Sequence, residues 1–118
     1  MAVFTRTVLS GSTHGRGILV AAVATPGTLI HTAVASATDM DEVWLWAVNN
    51  DTVAERTITP EFGGVTDPDD HIECTLYLQD GLILVAPGIP LRNTLVVRAF
   101  GSAANLLTVF GYVNRITF

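Results

Sequence analysis

Val43-Trp44-Leu45-Trp46-Ala47-Val48 is apolar on both faces of the strand it predicts, and that decides how the rest of the chain is read. A strand with one wet face alternates apolar with polar residues, whereas a strand covered on both faces does not. Two further stretches repeat the pattern: Thr94-Leu95-Val96-Val97-Arg98-Ala99-Phe100 and Leu106-Leu107-Thr108-Val109-Phe110-Gly111-Tyr112-Val113. A small β-domain covers its sheets on the inside but has little left to lay over their outer faces. Other subunits are the simplest cover, so these stretches predict a building block of an assembly.

The 118 residues suffice for one domain with a real core, and a single β-sandwich spanning 1–118 is expected. Hydrophobic residues make up 49% and charged residues only 14%, well below the usual quarter or so. No apolar run approaches the roughly 20 residues that span a bilayer, and Met1-Ala2-Val3-Phe4-Thr5-Arg6 lacks the layout of a signal peptide. The expectation is a protein made in the cytoplasm without a membrane partner. Cys74 is the lone cysteine, which excludes an intrachain disulfide and reads as a small strand hydrophobe. A net charge of −5 with six basic residues offers no cluster for a phosphate backbone, which argues against nucleic acid as a partner.

β-branched and aromatic runs recur between Gly, Pro, Asn and Asp clusters, the pattern of a sandwich or barrel. About nine strands are predicted: Val3 to Leu9, Gly17 to Ala24, Thr28 to Val34, Glu42 to Asn49, Thr52 to Thr59, Ile72 to Leu78, Leu82 to Ala86, Thr94 to Phe100 and Leu106 to Ile116. Turns are predicted at Thr25-Pro26-Gly27, Asn49-Asn50-Asp51, Gln79-Asp80-Gly81 and Pro87-Gly88-Ile89-Pro90. Helical periodicity is absent; the Ala-rich Thr32 to Thr38 supports at most one turn. Ser10 to Gly17 reads as a flexible loop or arm. The fold class expected is all-β, an antiparallel sandwich of jelly-roll type.

Candidate chemistry is sparse. Asp67-Pro68-Asp69-Asp70-His71-Ile72-Glu73 crowds hard oxygen ligands that suit calcium, but it lacks the Gly and distal Glu of an EF-hand, and acidic residues beside Pro more often form a solvated turn. Asp39, Asp41 and Glu42 would join it only if the fold brought the loops together. His14, His31 and His71 sit on different elements without metal-ligand spacing, so no metal and no cofactor are expected. His31 is expected to share a face with Leu29 and Ala33 and to hydrogen-bond a carbonyl. Neither a nucleophile elbow nor a phosphate loop occurs, and a carboxylate pair for glycoside hydrolysis could be chosen from Asp41, Glu42, Glu55, Glu61 or Glu73 only as from any small protein. No catalytic residues are assigned. A small hydrolase using Asp69 and Asp70 is the weakest reading.

Trp44 and Trp46 share one strand face with Val48, a geometry open to sugar stacking as well as to core or interface packing. The apolar opposite face of Val43, Leu45 and Ala47 favours a doubly covered strand. Phe110 and Tyr112 alternate with Val109, Gly111 and Val113, so one set lines the core and the other can meet a neighbouring chain. Arg98, on the side of Val96 and Phe100, calls for a carboxylate or carbonyl partner, for which Glu73 or Glu55 would serve. The interface residues expected are therefore Trp44, Trp46, Arg98, Phe100, Phe110 and Tyr112.

Gly27-Thr28-Leu29-Ile30-His31-Thr32-Ala33, Asp41-Glu42-Val43-Trp44-Leu45-Trp46-Ala47-Val48-Asn49, Leu91-Arg92-Asn93-Thr94-Leu95-Val96-Val97-Arg98-Ala99-Phe100 and Gly111-Tyr112-Val113-Asn114-Arg115-Ile116 together resemble small tailed-bacteriophage virion proteins, from about Gly17 onward. The resemblance implies structural work in the particle: decorating or cementing the capsid, or forming part of a tail or baseplate. It carries no catalytic signature. The expected partners are then a second copy of the chain, as a homo-oligomer with a trimer favoured by shell symmetry, and the major capsid protein. The expected location is the virion surface. A carbohydrate-binding, host-surface module built on Trp44, Trp46 and the acidic loop is the rival reading.

Overall fold

The computed structural model describes residues 1–118, the whole chain. Nine strands form: β1 (Val3–Val8), β2 (Ile18–Val20), β3 (Thr28–Thr32), β4 (Met40–Asn49), β5 (Arg56–Phe62), β6 (Cys74–Leu76), β7 (Ile83–Leu91), β8 (Val96–Gly101) and β9 (Leu107–Thr117). They make two antiparallel sheets packed face to face. Sheet A runs β1-β9-β4-β7, with β2 paired to β9 beside β1; sheet B runs β3-β8-β5-β6. The pairings nest: β2 with β9, β3 with β8, β4 with β7 and β5 with β6. β9 also meets β4, and β8 meets β5, so a long hairpin is rolled into two layers.

Strand alternation builds the core. Val43, Leu45 and Ala47 of β4 and Val109 and Val113 of β9 face inward from sheet A and are almost fully buried. Ile30, Ile58, Leu76, Val97 and Ala99 meet them from sheet B, and Leu9, just after β1, is buried in the same core. No helix is long and apolar enough to cross a membrane.

Two sequence expectations fail locally for clear reasons. Pro87-Gly88-Ile89-Pro90 is no turn, because β7 runs straight through it to Leu91. As the edge strand of sheet A, β7 tolerates proline, and its pairing with β4 absorbs register shifts at Val43/Trp44 and Leu45/Trp46. Gly88 sits at one of these irregularities with φ of 75°, and a Cβ there would lie 2.8 Å from the Trp44 indole. β5 begins at Arg56 rather than Thr52, because the segment before it is held as a turn by Asn49 and Asp51. The Asn49 amide donates to the carbonyls of Ala54 and Leu76, and its oxygen accepts the Asp51 N–H.

His31 also differs from expectation. A bulge between Leu29 and His31 buries Ile30 and His31 together while Leu29 stays exposed, so Leu29 and His31 do not share a face. The Ser10–Gly17 loop is tethered at its start: Gly11 N–H donates to the Ile30 carbonyl, and Thr32 N–H donates to Ser10 Oγ at 2.7 Å.

Candidate interaction face and buried polar networks

Three polar clusters lie in or under the sandwich. In the first, Asp41 is completely buried on the inner side of β4, in phase with Val43 and Leu45. Its carboxylate accepts from Arg115 Nε at 2.8 Å, Arg115 Nη2 at 3.0 Å, His31 Nε2 at 2.7 Å and the Val34 N–H at 3.1 Å. Burial alone would raise the Asp41 pKa, but hydrogen bonds from Arg115 and then His31, together with the Arg115 charge, hold it below the ordinary carboxylate value. The same contact raises Arg115 above its usual range. His31 Nδ1 accepts the Ser10 N–H at 3.0 Å, which leaves Nε2 as the nitrogen that donates to Asp41. The expected carbonyl partner of His31 is thus a carboxylate. Ser10 meets the ring through its amide and not its hydroxyl, so the trio fastens a loop and lacks the hydrogen bond that activates a nucleophile.

In the second cluster, Glu61 lies on the outer side of sheet B yet is fully buried by the protein's own loops. It accepts from Thr25 Oγ1 at 2.6 Å and the Gly27 N–H at 2.7 Å. His71 covers it, with Nε2 at 3.3 Å from Glu61 Oε2 and Nδ1 at 3.5 Å from Asp67 Oδ1, and its ring edges against Phe100. The acid-rich loop is thereby spread out: Asp67 turns toward His71, while Asp70 accepts the Thr66 N–H. Asp39 accepts the Phe118 N–H, Asp41 is engaged in the core, and Glu42 faces the other way on β4. No three His, Cys, Asp or Glu side chains converge as metal ligands.

The third cluster is the Asp51 turn, where the Val53 N–H and then Arg56 Nε at 2.7 Å hold the Asp51 carboxyl below its ordinary value.

Sheet B therefore covers part of its own outer face. Sheet A does not. Trp44 and Trp46 point outward from β4, and Tyr112 and Phe110 point outward from the partner positions of β9. The rings of Trp44, Trp46 and Tyr112 form one cluster, with centroids 6.2, 6.5 and 5.9 Å apart and planes within 32° of parallel. Phe4 and Val8 of β1, 68% and 48% exposed, extend the apolar surface on one side. Leu84 of β7 and Leu19 of β2 extend it on others, and both are exposed. Arg6 lies over the Tyr112 ring at 4.4 Å. Glu42 Oε1 accepts from Trp44 Nε1 at 3.1 Å and Asn114 Nδ2 at 3.2 Å.

Of the six expected interface residues, Trp44, Trp46, Phe110 and Tyr112 thus share one outer face, while Arg98 and Phe100 stand on the opposite sheet. Arg98 reaches the Gly27 carbonyl at 3.4 Å rather than Glu73 or Glu55. Sequence reasoning passed over Arg6 and Glu42, although Glu42 is in phase with Trp44 and Trp46 and so had to share their face.

Comparison with protein-family models, with curated proteins and with solved structures finds no match to this chain.

Proposed function

We propose that the protein is a non-enzymatic structural subunit of a bacteriophage virion, decorating or cementing the head surface and working as a homo-oligomer in contact with the major capsid protein. The observation that carries this reading is the uncovered outer face of sheet A, where two tryptophans, a tyrosine and two phenylalanines share a surface with aliphatic residues. A contiguous apolar surface of this kind marks an interaction site. The nested strand pairing is the winding order expected of a jelly roll, a fold used in capsids and lectins alike, so the fold supports the reading only by analogy. The resemblance to small virion proteins supplies the particle. Many copies, each burying modest area, would hold a shell together through their combined contacts.

The test is to add purified protein to phage heads that lack it and measure co-sedimentation, with W46E as the comparison. Wild type should sediment with the heads and W46E, folded by circular dichroism, should remain in solution. Wild type that stays in solution would overturn the virion role.

One observation favours a second reading. The near-parallel rings of Trp44, Trp46 and Tyr112, with Glu42 and Asn114 beside them, resemble a sugar-stacking platform. Quenching of tryptophan fluorescence by an oligosaccharide, lost in W44A, would support that module.

A further inference from the structure

We infer that the outer face of sheet A is covered by the same face of a second copy, forming a two-fold dimer in which Arg6 of each copy pairs with Glu42 of the other. This deepens the assembly reading and rests on it. The argument begins with one row of the sheet. Arg6 on β1 is opposite Asn114 on β9, which is opposite Glu42 on β4. The row therefore carries a cation at one end, an amide at its centre and an anion at the other, with the ends about 10 Å apart at two strand spacings. Residues directly paired in an antiparallel sheet point to the same side, so all three face outward.

A two-fold axis running close to β9, in the plane of contact, exchanges the two ends of this row and leaves the row in place. Arg6 then stands over Glu42 of the second copy, and Glu42 over its Arg6. The row beside it, Val8-Tyr112-Trp44, maps onto itself in the same way and sets each Trp44 indole over Val8 of the second copy. Sheets packed face to face cross at about 30°, which this operation gives when the axis lies about 15° from β9.

Both charged groups have capacity to spare. Arg6 rests on the Tyr112 ring but has no hydrogen bond or carboxylate partner within the chain. Glu42 uses only Oε1, for Trp44 and Asn114, and Oε2 is unengaged. The size also suits a dimer. Ten residues of β4 and four adjacent strands span roughly 33 by 19 Å, a flat footprint of roughly 600 Å². The accessible area of a face studded with side chains exceeds its footprint, and a standard interface buries about 800 Å² per partner. A face that complements itself closes at two copies, so the trimer expected from shell symmetry would require a different surface.

The test is sedimentation of wild type, R6E, E42R, their equimolar mixture and the R6E/E42R double variant at about 10 µM, a concentration at which a standard interface is occupied. Wild type should be a dimer. Each single variant brings like charges together at both ends of the row and should weaken self-association by about 100-fold or more. The mixture should form a heterodimer, and the double variant should recover the homodimer. A monomeric wild type overturns the pairing, whether it proves to bind an oligosaccharide or not. So does a mixture that associates no better than its components. Monomeric wild type that still sediments with phage heads refutes the pairing alone; a dimer that ignores the heads refutes the virion role alone.

Discussion

Asp41→Asn removes one charge from the most heavily bonded carboxylate in the protein while keeping its shape. The asparagine retains a single acceptor oxygen. Placed at the Oδ2 position, that oxygen keeps the bonds from His31, Val34 and Arg115 Nη2, but the new NH2 then faces the Arg115 Nε–H, donor against donor. Breaking a buried ion pair from one side costs about 3–5 kcal/mol. Arg115 is 35% exposed and rehydrates in part, which lowers the expected loss to about 2–3 kcal/mol. A domain of this size has a stability of roughly 6–18 kcal/mol, so the variant should fold. With a urea slope of about 1.5 kcal/mol per molar, its midpoint should drop by about 1.3–2 M. Tryptophan fluorescence reads the transition, because both indoles sit on the same strand as Asp41.

The pH dependence has a definite sign. A carboxyl whose folded pKa is depressed contributes its full stability above the unfolded value, near pH 3.9, and loses it as pH falls toward the lower folded value. Wild type should therefore lose more stability than D41N between pH 5 and pH 3, narrowing the gap between them, at pH values set by the ordinary carboxylate range. A gap below about 0.5 kcal/mol at neutral pH, or one that does not narrow in acid, would refute the assignment of Asp41 as the anion that ties β4 to β9 and β3.

Gly111→Ala should be among the most damaging small substitutions, since the added Cβ would collide with the Trp44 carbonyl oxygen in the central β4 and β9 pair. A loss of about 3 kcal/mol or more in thermal or urea unfolding is expected, against about 1–2 kcal/mol for G81A, where only the positive φ is strained and no atom lies within 4 Å. Asn49→Ala leaves the buried Leu76 carbonyl and Asp51 N–H without their partner and should cost about 2–3 kcal/mol, measured by the same unfolding curves.

The sandwich was legible because binary patterning is local. Val43, Leu45 and Ala47 announce an inner face and Trp44 and Trp46 an outer one, whatever the partner strands are. The path of β7 was not legible, because Pro87, Gly88 and Pro90 signal a turn in isolation and only an edge position with bulges lets a strand accommodate them. The buried carboxylates were hidden for another reason: their partners are distant in sequence, with Asp41 meeting Arg115 and Glu61 meeting Gly27. A trace of Asp41 was present in its phase, two residues before Val43 on the inward side. The residues expected at an interface divided along the same line. Trp44, Trp46, Phe110 and Tyr112 could be grouped by alternation, whereas Arg98 and Phe100 belong to the other sheet, an assignment that requires the topology.

Hydroxyl-radical footprinting of Trp44, Trp46 and Tyr112, read by mass spectrometry in dilute free chains and in the assembled state, reaches the central claim most directly. If the outer face of sheet A is the surface that association covers, oxidation of these rings should fall steeply on assembly while that of exposed Tyr77 stays unchanged. Equal oxidation of the three rings in both states would contradict the account.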